Sequence, residues 1–242
     1  VPMPKNSVFP IHAYLDDHFR RFAESVRTLR TSLLLTQLER DNKVIAVTSS
    51  SPGEGKTTTS ANLAISLAQM GKVLLIDADL RKPSIAKRFE IPVFHPGLSN
   101  LIIGTEQYSE CVHIDEKSGV SVMPSGQIPG NPLELLSSSR FNDVLEELKT
   151  KYDHIIIDTP PTQAVSDALV VAQVAGSVIY VVKADVTRIK LIKAGIERLF
   201  EAKAHVAGIV LNKVDMSKSK EEHSHGYYDY YDYSQKPEQT DL

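Results

Sequence analysis

Short β-branched runs punctuate the chain at 43–49 (KVIAVTS), 72–79 (KVLLIDAD), 119–126 (GVSVMPSG), 154–161 (HIIIDTPP), 177–185 (SVIYVVKAD) and 206–215 (VAGIVLNKVD). Apolar at almost every position, they read as strands buried on both faces. Between them, 57–71, 132–152 and 187–203 carry apolar residues at helical spacing, and 15–40 reads as an amphipathic helix leading into the first strand. Strands alternating with helices predict an α/β fold, a mostly parallel sheet with helices on both faces. In such sheets ligands sit at the carboxyl ends of the strands. From Met216 onward aliphatic residues almost vanish in favour of Lys, Glu, His, Ser, Tyr and Asp, a composition that predicts a disordered tail. Three segments result: a helical lead-in at 1–40, a core at 41–215 and the tail at 216–242.

Composition narrows the class. A chain of 242 residues, 42 % hydrophobic and 24 % charged, can bury one sizeable core. Its net charge of -3 carries no footprint of nucleic-acid binding. The single cysteine, Cys111, rules out an internal disulfide framework and reads as a partly buried thiol in a reducing compartment. No apolar run is long enough to span a bilayer, and the opening VPMPKNSVFP lacks the layout of a signal peptide, so a cytosolic chain is expected. The start at Val1 rather than Met fits a segment cut from a longer protein.

Chemistry concentrates just after the predicted strands. Residues 50–57, SSPGEGKT, fit G-x-x-x-x-G-K-[ST] except that Ser50 stands in the first glycine position. Pro52, Gly53, Glu54, Gly55, Lys56, Thr57 and Thr58 form the candidate phosphate loop. Gly53 and Gly55 let the backbone N–H groups converge on phosphate, and the helix starting near Lys56 adds the positive end of its dipole. Lys56 would reach the β- and γ-phosphates and Thr57 would offer its hydroxyl to Mg²⁺. Asp77 and Asp79 follow one apolar run and Asp158 another. A lone Asp there is as often a turn residue, but three on one sheet edge beside a phosphate loop describe a site for Mg²⁺ and a nucleoside triphosphate. Asn212, Lys213 and Asp215 spell the guanine-reading N-K-x-D of GTPases, yet Asn212 alone could equally meet adenine. Glu24, Arg27 and Arg30 share one face of the first helix through their three-residue spacing; a solvated face with local ion pairs is the plainer reading. The tail packs Tyr227, Tyr228, Tyr230, Tyr231 and Tyr233 around Asp229 and Asp232, five of the nine tyrosines in the chain, with no aliphatic partners to make a core.

Taken together these motifs resemble the cytoplasmic catalytic domain of the bacterial tyrosine kinases that regulate export of capsular and other extracellular polysaccharides. SSSPGEGKTT is similar to their Walker A loop, LLIDADLRKP to their second aspartate motif and IIIDTPP to their Walker B, while ESVRTLR matches their E-x-x-R-x-x-R element. The related MinD/ParA switch ATPases carry a lysine five residues before the loop lysine, where this chain has Ser51. The resemblance implies a fold of the phosphate-loop NTPase type and ATP as the nucleotide. It implies a homo-oligomeric ring, in family members an octamer, contacted through Glu24, Arg27 and Arg30, with autophosphorylation of the tail tyrosines between subunits. A membrane-embedded chain-length regulator, fused or separate, and a phosphotyrosine phosphatase are the partners it implies, at the inner face of the plasma membrane. A tyrosine hydroxyl with a pKa of about 10 needs a proton acceptor. In the expected division of roles Lys56 neutralises phosphate charge, Thr57 and Asp77 bind the metal, Asp158 holds a metal-bound water and Asp79 is the base. A switch ATPase or a GTPase is the competing reading.

Overall fold

The computed structural model describes residues 9–37 and 43–215. The predicted tail with its five tyrosines, the first eight residues and the end of the first predicted helix lie outside the described residues. Two 3-10 turns, Ala13–Leu15 and Asp17–Phe19, precede α1 (Arg20–Gln37), so that helix starts later than the apolar spacing alone suggests. The order then runs β1 (Val44–Ser49), α2 (Lys56–Ala68), β2 (Val73–Asp77), α3 (Ile85–Arg88), α4 (Leu98–Ile103), α5 (Tyr108–Cys111), β3 (His113–Ile114), β4 (Ser121–Met123) and α6 (Pro132–Leu136). It finishes with α7 (Ser139–Lys151), β5 (His154–Asp158), α8 (Asp167–Val174), β6 (Ser177–Lys183), α9 (Ile189–Glu201) and β7 (Val206–Asn212).

One sheet of seven strands, in the order β3-β4-β2-β5-β1-β6-β7, carries these elements. All pairings are parallel except that of β3 with β4. Because successive side chains point to opposite faces, the apolar runs split cleanly. Val44, Ala46, Leu74, Ile76, Ile155 and Ile157 pack under α4 to α9. Ile45, Val47, Val73, Leu75 and Ile156 pack under α1, α2 and α3. The sheet is therefore covered on both faces, as the continuous apolar runs require.

The predicted helix at 132–152 is two helices. Ser138 ends the first and caps the second, accepting the Phe141 N–H on its hydroxyl at 3.3 Å, a cap that outcompetes continuation through three serines. Cys111 is fully buried rather than partly so, and burial pushes its thiol up to about 11. The lead-in helix is no separate body: Ala23, Val26 and Leu33 of α1 sit in the same core as Ala61 and Leu63 of α2.

Tyr180, fully buried on β6, occupies the space above Gly195 of α9; a Cβ there would collide with its hydroxyl and stand 2.7 Å from Thr162 Oγ1. Gly195→Ala adds helix propensity worth about 1 kcal/mol but overpacks this contact, for which about 1–3 kcal/mol is the usual penalty. Net destabilisation is expected in urea unfolding, and a stabilised variant would show that α9 yields freely.

Candidate active site

Strand order places the site. β1 lies between β5 and β6, with β2 beyond β5, so the turns leaving β1, β2 and β5 meet at the carboxyl edge of the sheet. The β1–α2 turn is the phosphate loop. Gly53 and Gly55 take φ of +84° and +99°, a left-handed backbone that other residues resist. A Cβ on Gly55 would strike the side-chain amide of Asn212. The first helical bond from the loop runs from the Thr59 N–H to the Gly55 carbonyl at 2.9 Å, which leaves the N–H groups from Gly53 to Thr58 without a protein acceptor among the described residues. A concave run of unsatisfied donors at the start of a 13-residue helix fits a polyphosphate. Ser50, in place of the expected glycine, turns inward, its hydroxyl 3.0 Å from that of Tyr180. The loop thus tolerates a side chain there because it joins the core and not the cradle.

The three aspartates converge, in different settings. Asp77 and Asp158 are register partners on adjacent parallel strands, both fully buried. Asp158 accepts the Thr57 hydroxyl at 2.6 Å and the Ser60 hydroxyl at 3.0 Å. With its proton given to Asp158, the Thr57 oxygen keeps lone pairs free for a cation. Asp77 Oδ2 accepts the N–H groups of Ser84 and Ile85, both at 2.9 Å, and Oδ1 accepts that of Asp79 at 3.2 Å. It thereby fixes the loop that carries Asp79. Asp79 alone of the three keeps some exposure, 7 %, and its Oδ2 stands 3.4 Å from Lys56 Nζ.

Burial and the neighbouring Asp158 charge push the Asp77 carboxyl up to about 7. Burial raises Asp158 as well, against the opposing pull of Lys56. For Lys56 burial alone would lower the ammonium, but the charges of Asp158 and Asp79 outweigh it and hold it above its usual range. A crowded anionic pocket with one ammonium has room for a further cation. Among the described residues no three His, Cys, Asp or Glu side chains form an all-protein cage, and Mg²⁺ needs none, since it takes one or two carboxylates and completes its shell with waters and phosphate. Thr57, Asp158 and the free lone pair of Asp77 fit that role.

Other motif residues make contacts to the loop and to neighbouring elements. Asn212 donates one amide N–H to the Glu54 carbonyl at 2.9 Å, and Lys213 Nζ donates to the Gly53 carbonyl at 2.9 Å. The hydroxyl of Thr58 accepts Arg88 Nη1 at 2.9 Å. Pro52 lies at the exposed crest of the turn. On α1, Arg27 pairs with Glu24 at 2.6 Å on the surface, while Arg30 donates to the Ser66 carbonyl at 2.8 Å and pins α1 to α2. Reading the motifs missed Ser60, which lies one turn beyond Lys56 and could have been found from helical spacing. It also missed the two-pronged pair of Arg81 with fully buried Asp167, at 2.7 and 3.0 Å, which ties the Asp79 loop to α8. Nothing local signals partners 86 positions apart.

The buried carboxyl has a thermodynamic signature. Raised in the fold from 3.8 to about 7, Asp77 binds its proton more tightly folded than unfolded, so its contribution to stability falls as pH rises through that window. In nucleotide-free protein, Asp77→Asn is expected to flatten the fall in melting temperature between those pH values. An unchanged slope would mean that Asp77 ionises as freely in the fold as in water.

Residues 42–214 match the AAA domain family model. The tyrosine-protein kinase YwqD of Bacillus subtilis is 38 % identical over 207 residues, 85 % of this chain and 86 % of YwqD. The tyrosine-protein kinase Etk of Escherichia coli is also 38 % identical, over 79 % of this chain, which spans only 26 % of Etk. Among solved structures, the kinase domain of VpsO superposes with a TM-score of 0.75 at 46 % identity, covering 84 % of this chain and all of that one. MinD of Pyrococcus horikoshii, TM-score 0.60 at 23 % identity over 74 % of this chain and 76 % of MinD, shares the fold. With the phosphate loop, the paired strand-end aspartates and these relatives in one frame, the chain belongs to the bacterial tyrosine-protein kinase family, built on a phosphate-loop NTPase fold.

Proposed function

We propose that this chain transfers the γ-phosphoryl group of ATP to tyrosines of the Tyr227–Tyr233 run on a neighbouring copy. The observation that carries the reading is the placement of Asp79, the one carboxylate of the three that reaches the open side, beside the Lys56 ammonium. Mg²⁺, when bound, would offset negative charge on the phosphates. Thr57, Asp77 and Asp158 are the residues proposed to hold it. The N–H groups of the loop and Lys56 would orient the triphosphate and draw off charge as it builds. An incoming phenol forms the new O–P bond as the bond to the ADP oxygen breaks, and its proton passes to the Asp79 carboxylate. ATP is favoured over GTP by the family, and Asn212 with one amide hydrogen committed to the loop gives no separate support for guanine.

Reach permits transfer within one chain or between copies; the oligomer contact and the family resemblance favour the latter. Asp215, the last described residue before the tail, comes three residues after Asn212, whose amide meets the loop. A flexible chain of a dozen residues would span about 20 Å, enough for either site. A ring would hold a neighbour's tail at high effective concentration, and the exposed Glu24–Arg27 pair, with Arg30 behind it, is the proposed contact. Each phosphate brings roughly -1.5 to -2 charges, so a phosphorylated tail repels itself and loosens the ring. Placement at the inner face of the membrane, a ring of eight, a chain-length-regulating membrane partner, a phosphotyrosine phosphatase and control of extracellular polysaccharide export extend the proposal by family resemblance. Among the described residues no helix is long and apolar enough to cross a membrane.

The test mixes two chains with labelled ATP or GTP and Mg²⁺: a Lys56→Met chain keeping all five tail tyrosines, and an active chain cut after Ser219. Phosphotyrosine on the Lys56→Met chain, from ATP and not GTP, is the expected outcome. A blank partner while intact active protein labels itself at the same concentration would mean transfer within one chain, and label from GTP alone would overturn the choice of nucleotide.

A further inference from the structure

We infer that the Glu54 side chain is a positioning group, not a phosphate ligand, and that it holds the phosphate loop in its binding shape by tying it to Thr187 in the loop between β6 and α9. The inference rests on reading the β1–α2 turn as a nucleotide site. Glu54 is only 3 % exposed and faces the sheet. Its Oε2 accepts the Ser51 N–H at 2.7 Å. Its Oε1 accepts the Thr187 hydroxyl in a short hydrogen bond and lies 3.4 Å from the Lys183 N–H. Among the described residues no Lys, Arg or His forms an ion pair with it.

A carboxylate taken out of water without a cation must be met by donors, and here all of them come from backbone and side chains of this chain. A negative group would also repel a polyphosphate, so its presence in the loop makes sense only if it acts on the loop itself. Three segments meet on it: the β1–α2 turn, the end of β6 and the loop before α9. From β7, Asn212 and Lys213 take the Glu54 and Gly53 carbonyls. The outward side of the loop is thus held by late strands, while the N–H groups from Gly53 to Thr58 stay free for a ligand. A loop fixed in this shape spends no binding energy on ordering. Releasing Thr187 should lower nucleotide affinity with every ligand contact intact.

The experiment is a titration of fluorescent ADP with Mg²⁺ into the full chain. Thr187→Val, equal in shape but without the hydroxyl, should weaken binding about tenfold, the usual worth of a hydrogen bond to a charged group. Thr187→Ser should bind within about twofold of the parent, because the donor is restored. In a Glu54→Ala background Thr187→Val should add less than about twofold, since coupled residues do not act independently. Thr187→Val binding like the parent, Thr187→Ser as weak as Thr187→Val, or equal losses in both backgrounds would each overturn the inference. Thr187→Ala gives the same comparisons should Thr187→Val fail to fold. A parent that binds no ADP would instead defeat the nucleotide reading on which the inference stands.

Discussion

Everything at the site depends on a like-charge contact built into the sheet. The register of β2 against β5 sets Asp77 beside Asp158 with no solvent to separate them. Two carboxylates in that position cannot both ionise cheaply, and the surrounding structure is arranged around that fact. Lys56 supplies one cation from the phosphate loop, the Thr57 and Ser60 hydroxyls satisfy Asp158, and three backbone N–H groups satisfy Asp77. What remains is a cluster of carboxylates beside the loop with a single ammonium, a place suited to a divalent cation that arrives with phosphate.

The same constraint separates the roles of the two aspartates of the 77–79 pair. They sit two residues apart and are interchangeable on paper, yet Asp77 at the strand end is fully buried while Asp79 in the next turn keeps a little exposure beside Lys56. Asp77 builds the loop, accepting the N–H groups that start α3, and keeps one lone pair toward the cation site. Asp79, held by the N–H of Lys82 at 3.1 Å and facing Lys56, is left with the approach side. Arg81 then ties the loop that carries Asp79 to Asp167 at the start of α8.

Much of this was legible in the sequence because its signals are local. Continuous apolar runs gave the parallel strands, and the glycine spacing of the phosphate loop placed it between β1 and α2. Short elements were not legible: β3 has two residues, and α3 and α5 have four each, too few to show a period. Helix α8, DALVVAQV, is apolar on nearly all sides and reads no differently from a strand. The partners of Glu54 and Asp167 stayed hidden for a different reason. Thr187 and Arg81 are ordinary residues whose meaning comes only from the chain crossing that brings them together.

The division of roles is most directly tested by calorimetric titration of ADP, with and without Mg²⁺, into Asp79→Asn protein. If Asp79 serves the incoming phenol and lies outside the metal shell, this protein keeps the Mg²⁺-dependent gain in affinity of the parent while tyrosine labelling disappears. Loss of that Mg²⁺-dependent gain would place Asp79 among the metal ligands and contradict the account.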